Sequence, residues 1–407
     1  MIRVQVPANC FYPELPGGPN QYFRYGPFLR ERGVQLVVHT PRQPHHQEKE
    51  FEINGIEVHR HDLPAGGSHQ RDLELLLEIA IDSVGRGSDA SGSRLHPIGT
   101  FLESRSALSR LWRARLRGIP SCVHMMMMPE WGSESFPRRY RESLRAKVLF
   151  SPYAKMLMCS RVMGRAYAEY AKTSPGRIEA IPNGIDLSVF SPVSPERKRE
   201  LRTELNLSQE APLVIYVGSV VPRKGVDLLV EAWEGVLRLH PDAVLLIVGS
   251  TGARPTIRDA AEVSETDRYI GEVFDRIEQL SRPGSVHFAG EVENVQEYYR
   301  ASDLFAFASH REGLPSVILE AMACGLPCVT APFLGLPDDG EEYGVAGEHY
   351  VKSSYAPEEL AQDISSLIGD EEAREAMGKK AISWMRETQG MEKATDRLAE
   401  IYHEIVG

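Results

Sequence analysis

The chain has 407 residues, 42% of them hydrophobic and 25% charged. That is roughly two to three times a single domain, and it excludes a disordered or fibrous chain. The formal net charge of -11 disfavours a general nucleic-acid binder, whose phosphate contacts need a basic surface, and wholesale adhesion to anionic lipid. The scattered cysteines (Cys10, Cys122, Cys159, Cys324 and Cys328) read as reduced thiols, and the lone C-x3-C at 324–328 has no second pair to complete a metal site.

In chain order, IRVQV reads as a first strand, followed by the loop FYPELPGGPN and a helix through QYFRYGPFLRER that Gly33 closes. VQLVVH is the next strand, and FEINGIEVHRH reads as a hairpin about Asn54-Gly55. The polar stretch from about Gly85 to Gly99 has no assignable element. A helix through FLESRSALSRLWRARLRG and a strand at IPSCVHM resume the alternation. Arg110, Arg113, Arg115 and Arg117 recur on that helix at near-helical spacing, which suits a solvated face or, alternatively, docking to an anionic acceptor or membrane. No run approaches the roughly 18 apolar residues of a membrane span, and MIRVQVPANCFYP has no leader pattern. The expectation is a soluble, cytoplasmic protein, with peripheral contact at the inner membrane face as an option.

IEAIPNGIDLSVFSPVSPE (178–196) interrupts the pattern with three prolines and an Asn-Gly turn, as a linker between lobes does. After it come LVIYVG, the helix GVDLLVEAWEGVLRLH, AVLLIVGS, a helix through YIGEVFDRIEQL, SVHFAG, a helix through VQEYYRAS, DLFAFAS and PCVTA. Such apolar strands suit a parallel sheet buried on both faces. The fold class is therefore α/β, with two Rossmann-like lobes facing an interlobe cleft. The first spans 1–187 and the second 188–388, with a last helix over 389–407 packing back towards the first.

Two stretches carry chemistry. In HREGLPSVILEAMACGLP, everything from Val317 to Ala323 except Glu320 is apolar, so a buried Glu320 needs a hydrogen-bonding partner. His310 to Leu314 form the loop after a strand, and Pro315 suits the first turn of the next helix. The helix amino-terminus then favours an anion. Glu320 lies on the face of Ser316, where it could accept from the vicinal hydroxyls of a ribose or pair with an arginine elsewhere. In YVGSVVPRKGVDLLVEAW, Arg223 and Lys224 precede a helix amino-terminus, a combination suited to a diphosphate.

These stretches resemble the family 4 glycosyltransferases of GT-B architecture. The likeness also takes in PELPGGPNQY, IPNGID, VHFAGEVENVQEYYRASDLFAFAS and the closing helix, and Glu312-x7-Glu320 is its most specific signature. The resemblance implies retaining sugar transfer from a nucleotide-sugar, UDP-sugar first with GDP- or ADP-sugar as alternatives, without cofactor or metal. It implies that Glu320 binds the ribose and that Glu312 lies beside the transferred sugar with the backbone of Gly313 and Leu314. Arg223 and Lys224 would hold the diphosphate, with Gly17 and Gly18 allowing close approach of the first lobe. Ser219 stands where the family commonly has a diphosphate-binding arginine. His124 matches a histidine near the reacting sugar, so Glu312 and His124 are the catalytic residues the resemblance implies, and Met125 to Met128 either floor an apolar acceptor site or pack in the core. Base contacts would fall around Phe288 to Glu291. The acceptor is a glycan, a lipid-linked sugar or a small molecule, and the protein a monomer or homodimer. A non-catalytic binding subunit of the same fold and a nucleotide-sugar epimerase are the alternatives.

Overall fold

The computed structural model describes residues 1–13, 17–84, 93–95, 105–128, 146–250 and 264–405. Most of the 85–99 stretch, and the start of the helix expected from Phe101, lie outside the described residues. The chain divides into two compact units, Met1–Gly184 with Met391–Gly407, and Ile185–Gly390.

The first unit is built on strands β1 (Ile2–Pro7), β2 (Val34–Pro41), β3 (Glu50–Ile53), β4 (Ile56–His61) and β5 (Ser93–Leu95), in the order β3-β4-β2-β1-β5. All pairs are parallel except β3 with β4. That pair is the hairpin expected at Asn54-Gly55. Both residues have positive φ, 50° and 71°, as the two-residue turn matching strand twist requires. Period-two alternation divides the sheet. Val4, Val6, Leu36, Val38, Ile56 and Val58 join one core with Tyr22, Tyr25 and Leu29 of the helix Gly17–Glu31 and Leu398 and Tyr402 of the helix Met391–Glu404. A smaller parallel sheet follows, β6 (Cys122–Met125), β7 (Lys155–Met158) and β8 (Ile178–Ala180).

The arginines of the helix Arg105–Leu116 do not form a free cationic face. Arg110 pairs with Glu74 at 3.3 Å, Arg113 with Glu78, and Arg117, just past the helix, with Asp82 at 3.6 Å. All three carboxylates lie on the neighbouring helix His69–Val84, so the basic spacing is answered by an acidic one. Arg115 is placed differently, with its guanidinium over the Trp112 ring.

The second unit contains β9 (Leu213–Val217), β10 (Val244–Val248), β11 (Val286–Gly290), β12 (Leu304–Phe307), β13 (Cys328–Thr330) and β14 (Val351–Lys352). All are parallel, in the order β11-β10-β9-β12-β13-β14. Numbered within the unit this is 3-2-1-4-5-6, the order of a dinucleotide-binding Rossmann sheet. Its β9 and β10 strands are buried at every position, because helices cover both faces of a parallel sheet. Trp233 of the helix Val226–Leu239 is fully buried, and its indole N–H donates to Ser285 Oγ at 3.0 Å. The order reverses between β9 and β12, and ligands of such sheets bind at the strand carboxyl ends there. No described helix is long and apolar enough to cross a membrane.

The opposite face of the first sheet carries a buried histidine. His39 Nε2 lies 2.8 Å from Gln5 Oε1 and Nδ1 lies 3.0 Å from His61 Nε2, with the rings of His59 and His61 stacked on it. The Gln5 oxygen can only accept, so Nε2 carries the proton and Nδ1 is the acceptor. Burial, reinforced by His61, His59 and Arg3, lowers its pKa from 6.5 to about 3. The unfolded chain binds this proton near pH 6.5 and the folded chain does not, so the contribution is whole above that pH and is lost as pH falls. The loss approaches about 1.4 kcal/mol per pH unit for this one group. Urea unfolding at pH 7.5, 6.5 and 5.5 should show that decline, and His39→Gln should make it shallower. Equal slopes in the two proteins would exclude His39 as the source.

Candidate active site

The loops after β9 and β12 meet at the switch point. Val217 ends β9, a 3-10 turn runs over Pro222–Lys224, and the helix Val226–Leu239 starts after Gly225. Gly225 has φ 64°, and a Cβ there would lie 2.0 Å from the Ala308 carbonyl oxygen. This approach brings Arg223 and Lys224 against the loop that leaves β12, and only glycine permits it. The His310 N–H donates to the Arg223 carbonyl at 2.9 Å, locking the two loops together.

Glu312 is the centre of the arrangement. Its carboxylate is buried, yet Oε1 receives Arg223 Nη1 at 2.6 Å, Lys224 Nζ at 2.7 Å and Ser309 Oγ at 2.7 Å. Ser309 Oγ is also 3.0 Å from the Arg223 carbonyl. The hydroxyl has one proton, and the shorter contact to a charged acceptor takes it. Arg223 Nη1 reaches the Arg311 carbonyl as well, at 2.8 Å, and Lys224 Nζ sits 5.4 Å from the centre of the Phe307 ring. Burial lowers the Lys224 pKa, while Glu312 opposes that shift. The Glu312 N–H donates to Leu334 O at 3.0 Å and the Leu334 N–H to His310 O at 2.8 Å, so the next loop braces this one.

Gly313 and Leu314 follow, both buried. Pro315 takes the N-cap position rather than the first turn, and the helix Ser316–Ala323 begins after it without a side-chain cap. Glu320, one turn in, is 5% exposed. Tyr299 donates to Glu320 Oε2 at 3.2 Å. Burial, then Glu320 itself, raises the Tyr299 pKa well above its ordinary value, so the hydroxyl remains a donor. One partner that the sequence did not show is thus a tyrosine hydroxyl 21 residues upstream.

The second unit therefore brings Arg223, Lys224 and Glu312 into contact, with Gly313, Leu314 and Glu320 on the loop and helix that follow. Ser219 is exposed, on the loop after β9. Phe288 packs on Phe274, ring centres 5.1 Å apart, and Glu291 is exposed. Ser309 and Tyr299 escaped the sequence reading. Ser309 had a signal in its place three residues before Glu312, but nothing local linked Tyr299 to Glu320.

In the first unit, Gly17 and Gly18 open the helix Gly17–Glu31. His124 is fully buried on β6, with Nδ1 2.9 Å from the Tyr22 hydroxyl. Burial lowers its pKa to about 3, so the ring is neutral near pH 7. Met125 is buried beside it, Met126 packs against the main core, and Met127 is 37% exposed. Among the described residues no group of three or more His, Cys, Asp or Glu side chains is placed to hold a metal ion.

Two family models match the chain, "Glycosyl transferase 4-like domain" over residues 17–184 and "Glycosyl transferases group 1" over residues 197–384. A D-inositol 3-phosphate glycosyltransferase of Segniliparus rotundus is 31% identical over 229 residues, 56% of this chain and 47% of that protein. The chain thus spans about half the length of the curated relatives it matches. The sucrose-phosphate synthase structure from Thermosynechococcus elongatus superposes with a TM-score of 0.76 at 20% identity, covering 100% of this chain and 99% of the other. Anabaena HepE in complex with UDP does so with a TM-score of 0.71 at 18% identity, covering 99% and 100%. The fold is accordingly the two-Rossmann α/β architecture called GT-B. With one family model on each unit and the Glu312-x7-Glu320 pair folded into a Rossmann switch point, the chain belongs to the family 4 glycosyltransferases.

Proposed function

We propose that the protein transfers a sugar, with retention of anomeric configuration and without a metal, from a nucleoside-diphosphate sugar to an acceptor hydroxyl. The observation that carries this reading is the convergence of Arg223, Lys224 and Glu312 at the switch point of the second unit, with Glu320 one turn into the following helix. Arg223 and Lys224 bind the diphosphate, Glu320 accepts from the vicinal ribose hydroxyls, and Glu312 with the Gly313 and Leu314 backbone faces the sugar. Ser219 supplies no charge, so diphosphate binding rests on Lys224 and Arg223.

In the transfer, the bond from the anomeric carbon to the diphosphate oxygen breaks while the acceptor oxygen bonds to the same face of the sugar. The acceptor proton passes to the departing phosphate. Arg223 and Lys224 stabilise the charge that develops on that phosphate, the kind of interaction that commonly dominates catalysis. UDP is the favoured nucleotide, since HepE is described in complex with it, with GDP and ADP as alternatives. The relative named for D-inositol 3-phosphate supports a small hydroxylated acceptor, one of the three acceptor classes expected. His124, enclosed with Tyr22, serves the packing of the first unit in this reading rather than the reacting sugar.

Thermal unfolding with UDP, GDP and ADP tests the site. A nucleotide at 100 times its dissociation constant adds about 2.7 kcal/mol, a shift of about 5–11 °C for units of this size. One nucleotide should stabilise the wild type and fail to stabilise Glu320→Ala. Stabilisation of both proteins alike would remove Glu320 from the ribose site. Gly225→Ala should lower stability by at least about 2 kcal/mol, because the new methyl meets a carbonyl at positive φ. It should also weaken nucleotide binding through displacement of Lys224, and unchanged affinity would show that the loop contact does not set the cations.

A further inference from the structure

The two cations assigned to the diphosphate are already held by a carboxylate. Arg223 and Lys224 both reach Glu312 Oε1, at 2.6 and 2.7 Å. A carboxylate oxygen and a phosphate oxygen make the same demand on a guanidinium or ammonium group. We propose that Glu312 is a built-in counter-anion of the diphosphate site, competing with the nucleotide's phosphates for Arg223 and Lys224. This rests on the diphosphate reading given above and adds a control of nucleotide affinity to it.

Three features separate this arrangement from an incidental surface pair. The Glu312 side chain is only 6% exposed, so its charge acts with little screening from water. Ser309, itself fully buried, donates to the same oxygen and keeps the carboxylate in place. The cations, in turn, have supports other than Glu312. Arg223 is held through Nη1 by the Arg311 carbonyl and through its own carbonyl by the His310 N–H, and Lys224 lies over the Phe307 ring. Removing the Glu312 charge therefore leaves two positioned cations with less competition, and the effect on a bound polyanion has a definite sign.

The consequence concerns donor and product. A nucleoside diphosphate without its sugar must compete with Glu312 for both cations and offers the carboxylate nothing in return. A sugar-bearing donor brings hydroxyl groups that can donate to the carboxylate as the phosphates take the cations. Glu312 thus favours the donor over the spent nucleotide and helps the product leave.

Calorimetric titration of UDP, GDP and ADP into the full chain, wild type and Glu312→Gln, tests this. The amide keeps the size of the side chain and removes its charge. The nucleotide that binds wild type should bind Glu312→Gln about tenfold tighter or more, as expected when a neighbouring like charge is removed. Glu312→Ala, measured beside it, should shift the same way and serves if the amide variant does not fold. Equal or weaker binding in the folded variants overturns the counter-anion role while leaving the diphosphate site standing. Absence of nucleoside-diphosphate binding in wild type and variants alike overturns the diphosphate reading, and this inference with it.

Discussion

One carboxylate oxygen joins the two loops that form the candidate site of the second unit. Glu312 Oε1 gathers a guanidinium, an ammonium and a hydroxyl from two loops that the chain separates by more than 80 residues. A carboxylate taken out of water costs several kcal/mol unless its lone pairs are satisfied. Here three donors meet that cost, and the two loops are fixed in return. The close contact of Gly225 with Ala308 follows from the same requirement, since a side chain there would hold the loops apart.

The Rossmann order of the sheet makes this pairing available. β9 and β12 are neighbours where the strand order reverses, so the loops leaving their carboxyl ends start from adjacent points and meet. Glu320 extends the arrangement along the helix Ser316–Ala323, oriented by Tyr299 from the helix Val295–Ala301. Side chains from three separate segments thus meet around one strand crossing, which gives a rigid scaffold for positioning a charged, polyhydroxylated ligand.

The first unit uses buried polar groups for its own cohesion. His39 links β1, β2 and β4 through Gln5 and His61, and His124 lies against Tyr22 in the core. The helix Gly17–Glu31 also takes hold of the chain where it leaves the unit. Gln21 donates to the Gly184 carbonyl at 3.0 Å, and the Gly184 N–H donates to the Tyr25 hydroxyl at 3.2 Å. Both ends of that glycine are therefore pinned by side chains one helical turn apart. The arginines at 110, 113 and 117 show the surface counterpart, a set of ion pairs between two helices, each worth at most about 1 kcal/mol where exposed.

Local pattern in the sequence was enough to identify the α/β alternation, the hairpin at Asn54-Gly55 and the Arg223-Lys224 and Glu312-x7-Glu320 stretches. The first three rest on hydrophobic periodicity, turn chemistry and charge placed beside a helix start, all of which act over a few residues, and the Glu312-x7-Glu320 pair rests on the family resemblance. The contact of Arg223 with Glu312, the hydroxyl of Tyr299 on Glu320 and the pairing of the arginine helix with Glu74, Glu78 and Asp82 were decided by tertiary structure. Each joins residues between 21 and 89 positions apart. Spacing says where a side chain lies on its own helix or loop, but strand order and packing choose which other side chain it meets. The same holds for His124. Its place at a strand end was legible from the sequence, whereas its full burial and its contact with Tyr22 were decided by tertiary packing.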